Sequence, residues 1–408
     1  MDRIIGKKSK LSKQEHNSQR KEIVVLPSWY PNKLDKFGGD FIQRHVKAIA
    51  SVRRQFVIYV VKDEFAAITN DVSVNINEAG LYTEKIIYYH VRKTGMIAID
   101  KILSQVKSNR LYHEALKKYI EANGIPQLIH VHVSLKAGLV ALWAKNKWSI
   151  PFIISEHWSV FLPEANYKVK DLPMFQQLAI KKILKSASGL SVVSARLGRA
   201  IADKYTSPSH VVIPNVVDHA IFLPGYDIKD TGAHFIHASS MLYEKNIEGI
   251  LTAFHILNEK KIDCSLSIYG PAPARIKQLS KELGLGDVVV FGGEVSQGIL
   301  SEKMQESAAL VLYSRFETFG CVIIEANATG IPVIVSDLPV FHETVEEGVN
   351  GFFVQGERPD LLAEKISQFV AQKSKLDKAS IIKTSEKYSY KAVAAKFEKL
   401  YAEAIGNQ

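Results

Sequence analysis

The stretch Tyr313-Ser-Arg-Phe-Glu-Thr-Phe-Gly-Cys-Val-Ile-Ile-Glu-Ala-Asn-Ala-Thr-Gly-Ile-Pro-Val-Ile-Val-Ser336 decides the fold. Residues 308–313 form a short apolar run bounded by turn formers, the pattern of a strand buried in a parallel sheet. Residues 314–320 read as a loop and 321–328 as a short helix. Gly330 supplies the helix stop, and Pro332 opens the next apolar strand.

Two carboxylates belong to this unit, Glu317 in the loop and Glu325 on the helix, with seven residues between them. Glu317 stands where the chain leaves a strand's C-terminal end, the ligand side of an open α/β sheet. Around Phe319, Gly320 and Cys321 the helix N-terminus offers unpaired N–H groups and a positive dipole end to an anion. A phosphate cradle flanked by two hydroxyl-binding acids suits a nucleotide sugar. The spacing alone carries little weight, since two glutamates so placed are commonly solvated helix residues.

Outward from this unit the composition sets limits. The chain has 408 residues, 47% of them apolar and 23% charged, which accommodates two domains with sizeable cores. Its 52 basic and 42 acidic residues give a net charge of +10, suited to nucleotide diphosphates or an anionic membrane surface. No aromatic-interleaved basic motif points to nucleic acid. Cys264 and Cys321 have no metal-ligand spacing, and the expectation is a reduced, cytoplasmic protein, free or peripheral on the inner face of a membrane. No run approaches the roughly 20 apolar residues of a membrane span. Residues 1–21 read as a basic flexible arm, with a membrane tether as the sharper alternative.

Short apolar runs recur along the chain as candidate strands at 23–26, 56–61, 86–91, 128–133, 151–158, 190–193 and 211–213. After the first comes a loop holding Gly38 and Gly39, where the backbone can approach a ligand or make a plain turn. Alternation puts His130 and His132 on one face, and Glu156 and His157 stand at a strand end. Residues 175–187 read as a helix with Leu178, Ile180, Ile183 and Leu184 beside Lys181, Lys182 and Lys185; most such helices bury the apolar side, and a membrane face is the alternative. The alternation restarts with strands at 234–238, 264–269 and 288–291, the latter two ending in glycine turns at Gly270 and Gly292-Gly293. A helical pattern over 390–404 closes the chain. No Gly-x-Gly-x-x-Gly follows a strand, which counts against a nicotinamide dehydrogenase.

The ordered pattern Ser314-x-x-Glu317-x-Phe-Gly, then Glu325-Ala, then Gly330-x-Pro-Val resembles the signature of family 4, the retaining glycosyltransferases (glycosyl transferases group 1) of GT-B fold. Pro214-Asn-Val-Val-Asp218 resembles the family's interdomain hinge, with Val216 in place of a glycine. The resemblance implies two Rossmann-like doubly wound α/β domains facing across a cleft. An acceptor-side domain would span 22–212, a nucleotide-sugar donor domain 213–388, and a C-terminal crossover helix 389–408. It implies Glu317 on sugar hydroxyls, Glu325 on the ribose, and Lys245 on the departing diphosphate. His157 would contact the sugar, and Phe319, Gly320, Cys321 and the turn at Gly270 would line the donor site; Gly38 and Gly39 would face donor phosphates and acceptor. Ser240 stands where the family has an arginine, and Arg315 is a candidate to replace its charge. No metal or other cofactor is implied. The expected partners are a nucleotide-sugar donor and a saccharide or lipid-linked saccharide acceptor, with a product in cell-surface polysaccharide or glycolipid synthesis. A nucleotide-sugar epimerase of the same fold and a non-catalytic sugar-nucleotide-binding partner stay open as alternatives.

Overall fold

Ile23–Pro27 (β1) is five residues of Ile-Val-Val-Leu-Pro, all buried. A β-branched run without polar alternation suits a strand covered on both faces, and β1 occupies the middle of a sheet. The computed structural model describes residues 22–225, 233–372 and 376–406. The basic arm at 1–21 lies outside the described residues.

The chain separates into two compact units. The first runs to Val193 and includes Leu197–Ile213 and the chain from Val393 onward; the second holds Ser194–Arg196 and Pro214–Ala392. The expected domain change at 212/213 compares with 213/214 here, and the final helix Tyr390–Gly406 groups with the first unit from Val393.

In the first unit, Gln55–Lys62 (β2), Val72–Ala79 (β3), Tyr82–Tyr89 (β4), Leu128–His132 (β5), Phe152–Glu156 (β6), Gly189–Val192 (β7) and His210–Val212 (β8) join β1 in the order β3-β4-β2-β1-β5-β6-β7-β8. Every pairing is parallel except β3 with β4. The sequence order reverses between β1 and β5, so this sheet has its switch point there. The helices are Asp40–Ala50 (α1), Ile97–Asn123 (α2), Ala137–Trp148 (α3), Met174–Ser186 (α4) and Ala195–Ala202 (α5).

Several elements lie outside the sequence reading, among them a hairpin strand and a long helix in the first unit. The strand expected at 86–91 is the second arm of a hairpin and begins at Tyr82; its partner β3 was not expected. The 27-residue α2 was not expected either.

The second unit holds His234–Ala238 (β9), Ser265–Tyr269 (β10), Val289–Gly293 (β11), Ala309–Leu312 (β12), Val333–Ser336 (β13) and Gly351–Val354 (β14). They form one parallel sheet in the order β11-β10-β9-β12-β13-β14, with the switch point between β9 and β12. Its helices are Ile247–Glu259 (α6), Ala274–Glu282 (α7), Gln297–Gln305 (α8), Cys321–Thr329 (α9), Pro359–Gln372 (α10) and Lys378–Ser385 (α11). The core under α6 packs Phe254 edge-on to Phe235 of β9, with Ile250, Leu251 and Leu257 fully buried.

The final helix Tyr390–Gly406 (α12) is tied into the first unit by a buried polar chain. The Tyr401 hydroxyl and His130 Nδ1 are 2.7 Å apart, and His130 Nε2 lies 2.7 Å from Ser155 Oγ. Arg53 adds a forked pair to Glu398 at 2.8 and 2.9 Å. Replacing Tyr401 by Phe leaves a fully buried ring nitrogen unsatisfied. Urea unfolding should show a loss of about 1–3 kcal/mol, and no loss would mean that water reaches His130.

Candidate functional site

In the second unit the strand ends beside the switch point bring together two of the expected site residues. β9 leads into a loop and a single 3-10 turn, Tyr243–Lys245, before α6, whose N-cap Asn246 accepts the Gly249 N–H. β12 leads into the loop of Glu317. Lys245 Nζ and Glu317 Oε1 are 2.5 Å apart, across 72 residues of sequence. The Ser314 hydroxyl donates to the same carboxylate oxygen at 3.1 Å. Both charged side chains are largely out of water, at 17% and 9% exposure, so each depends on the other for compensation.

Glu325 and Phe319 are also buried. Glu325 lies on α9, and Phe319 sets its ring edge-on to Tyr388. Gly320, at φ 87°, is the N-cap of α9, with no side-chain cap and no acid in the first turn. A Cβ there would come within 2.9 Å of the Phe341 ring, so the bare backbone is required by local packing. Cys321 is the first helical residue and partly exposed. These features leave a helix N-terminus ready for an anion.

Gly270 follows β10 at φ 129°, and a Cβ would lie 2.0 Å from the Ser239 carbonyl oxygen. That close crossing holds the end of β10 against the end of β9. Ser240 is exposed next to it. The neighbouring Ser239 hydroxyl bonds His237 Nε2 at 2.8 Å and receives the Met241 N–H at 3.1 Å. Arg315 does not stand free to replace the missing arginine. Its guanidinium pairs with Glu357 at 3.0 Å, donates to the Tyr243 carbonyl and lies 4.2 Å over the Tyr243 ring.

The first unit gathers its own group at its switch point. The loop after β1 is held to β5 by the Ser28 N–H bonded to the His132 carbonyl. Gly39 (φ 73°) is the N-cap of α1, and a Cβ would strike the Trp29–Tyr30 backbone at 2.6–2.8 Å. Gly38 donates its N–H to Asp35 at 2.7 Å. Both glycines therefore have reasons internal to the loop.

The first turn of α1 delivers Phe41 to His157, with ring centroids 5.0 Å apart. His157 Nε2 lies 3.2 Å from His132 Nδ1, and His45 packs on both rings. Glu156, fully buried, accepts the N–H groups of His157, Trp158 and Ser134 at 3.0 Å each, fixing the backbone that carries His157. Burial holds the Glu156 carboxyl above its ordinary range and, with neighbouring histidines, keeps His132 and His157 well below theirs, so both rings are neutral near pH 7.

His157 Nδ1 and His132 Nε2 have no hydrogen-bond partner among the described residues. One ring nitrogen from each of His45, His132 and His157 falls within 4.8 Å of the others, a spacing that could hold a metal ion. Sequence reasoning singled out His132 only by alternation and did not reach His45. No local signal marks a histidine in the middle of an amphipathic helix as part of a cluster.

His237, fully buried under the second site, is pushed down to about 4 by burial, with its bond to the Val311 carbonyl opposing. Its folded value is below its ordinary 6.5, so the unfolded chain binds the proton first and stability falls as pH drops from 6.5 toward 4. The loss attributable to this ring is about 3 kcal/mol. Urea unfolding from pH 7 to 4 should show it, and His237→Gln should flatten that dependence. An unchanged slope in the variant would remove His237 as the cause.

The family described as Glycosyl transferases group 1 matches residues 222–388, and Glycosyltransferase Family 4 matches 88–221. The two adjacent matches together span 88–388. A D-inositol 3-phosphate glycosyltransferase of Geodermatophilus obscurus is 25% identical over 272 residues, 61% of this chain and 60% of the relative. An alpha-monoglucosyldiacylglycerol synthase of Streptococcus pneumoniae is 23% identical over 285 residues, 65% of this chain and 64% of the relative. The chain thus spans under two thirds of the length of these relatives.

Among solved structures, a sucrose-phosphate synthase from Thermosynechococcus elongatus superposes with a TM-score of 0.74 at 19% identity, covering 95% of this chain and all of that one. Anabaena Alr3699/HepE, in complex with UDP and glucose, gives 0.68 at 17% identity, covering 93% and 98%. These likenesses, with two parallel-sheet Rossmann-like units, show the GT-B fold. The chain belongs to the glycosyltransferases of family 4.

Proposed function

We propose that the protein transfers a sugar from a nucleotide diphosphate donor to a hydroxyl of a saccharide or lipid-linked saccharide, with retention at the anomeric carbon. The observation that carries this reading is the Lys245–Glu317 pair at the switch point of the second sheet, the place where open α/β sheets bind nucleotides. Lys245 would stabilise the charge that develops on the leaving diphosphate, aided by the N–H groups at the start of α9. Glu317 would take hydroxyls of the sugar and Glu325 those of the ribose.

His157, with an unpartnered Nδ1, would meet the sugar as a neutral hydrogen-bonding group. With retention on one face, the leaving phosphate helps deprotonate the acceptor, and no protein base and no metal step is needed. With Ser240 in place of the family's arginine and Arg315 turned to Glu357 and Tyr243, Lys245 would carry the diphosphate charge, exchanging part of its contact with Glu317 for the phosphate. The related D-inositol 3-phosphate and diacylglycerol enzymes support an acceptor that carries phosphate or lipid, in glycolipid or cell-surface polysaccharide synthesis.

Nucleotide release from UDP-, GDP- and ADP-sugars without acceptor tests the reading. One donor should be slowly hydrolysed, and Lys245→Met should lower that rate by about 100-fold or more, in the range of losing one electrostatic stabiliser of the transition state. Conversion of a donor to its epimer without nucleotide release would contradict it, as would a full rate in the variant.

A further inference from the structure

We infer that the rim of the first unit formed by the N-terminal ends of α2, α3 and α4 docks on an anionic lipid bilayer. This rests on the transferase reading for its purpose, since a lipid-borne acceptor would be met at the strand ends that carry His157. The geometry itself is independent of that reading.

The 27 residues of α2 extend about 40 Å, while the eight-residue strands β2 and β4 beneath it extend about 26 Å. Its buried residues begin only at Leu111. In the half before that, Ile99, Ile102, Leu103 and Val106 repeat at the spacing of one helical stripe, yet they are 38–63% exposed. Met96 and Ile97 precede them at 61% and 75%. On β3, Val72, Val74 and Ile76 pair with Tyr89, Ile87 and Lys85 of β4, the face on which the Tyr89 hydroxyl meets Ser104 of α2. These three are exposed as well, at 36–57%.

α3 packs between α2 and α4. Each of the three helices returns between parallel strands, so each begins at the C-terminal edge of the sheet. There α3 exposes Leu139, and α4 opens with Met174, Phe175 and Leu178, 60–69% exposed. The apolar side of α4 therefore divides: Ile180, Ile183 and Leu184 enter the core, and the first turn does not.

The charge around these side chains selects the occupant. Residues 92–110 carry five bases and one acid, with Lys93, Lys107 and Arg110 paired to Glu64, Asp71 and Glu114. Residues 164–186 carry five bases and two acids, so the excess of positive charge lies mainly on Arg92, Lys101 and the lysines of 168–185. Asp100 is occupied by the Thr94 N–H and hydroxyl, and Asp171 by the Lys168 N–H. Apolar side chains projecting from a basic rim are the pattern of an interfacial anchor on anionic lipid. A second copy of the chain on this face would set these positive stretches against each other.

The test is co-sedimentation of the full chain with phosphatidylcholine vesicles, with and without a third of phosphatidylglycerol. Binding should require the anionic lipid and weaken about fivefold or more when salt rises from 0.1 to 0.5 M. The double variant Ile102→Glu/Val106→Glu should lower the partition constant by about tenfold or more, with an unchanged thermal melt. Phe175→Glu, on a different helix, should lower it too and serves if the first variant does not fold. No binding to anionic vesicles, or equal binding by the variants, would overturn the inference. A wild-type dimer that Ile102→Glu/Val106→Glu splits would assign the face to a second copy instead. Stabilisation by nucleotide sugars is read in parallel: its retention without vesicle binding sinks the membrane inference alone, and its absence with vesicle binding sinks the transferase reading alone.

Discussion

A lysine ammonium and a glutamate carboxylate 2.5 Å apart, both mostly shielded from water, are the constraint on which the second unit's site depends. Neither charge could be left alone there, because desolvation without a partner costs several kcal/mol. The pair exists because β9 and β12 are adjacent in the sheet while far apart in sequence. Parallel strands place both of their exits on the same edge. The αL turn at Asn246 and the capped start of α6 then fix Lys245, and the Ser314 hydroxyl fixes Glu317. The Gly270–Ser239 crossing is part of the same support, since no side chain fits between those strand ends.

The first unit solves a similar problem without charge. Three buried imidazoles meet at its switch point, and burial with the neighbouring rings keeps His132 and His157 neutral. Neutral rings can share hydrogen bonds at modest cost, where three imidazolium ions could not coexist. Glu156, spent on three backbone N–H groups, anchors the strand end. What is left over is one ring nitrogen each of His132 and His157 without a hydrogen-bond partner among the described residues, the kind of group a ligand satisfies.

Much of this was legible in the sequence because buried parallel strands are short, continuous and apolar. The run Ile23–Pro27 and the run Ala309–Leu312 each stand out against their polar flanks. The signature around Glu317 and Glu325 was legible because loop, helix start and glycine stop follow in order. The hairpin strand β3 was missed although Val72, Val74 and Ile76 alternate, because its apolar face is exposed and its flanks are polar. In α2 the reason is geometric. At about 100° per residue, the apolar stripe of its first half lies opposite the buried residues of its second half, and the helical period breaks midway. The capture of Arg315 by Glu357 and Tyr243 is a tertiary fact that no local pattern carries.

The proposed transfer requires Lys245 and Glu317 to act as one coupled unit on the donor. A double-mutant cycle of Lys245→Met and Glu317→Gln on donor-sugar affinity, read by calorimetry, tests this most directly. The coupling energy should be about 1 kcal/mol or more, in the range of residues that share one network. Additive effects within about 0.3 kcal/mol would contradict it and mean that the two side chains act on the donor independently.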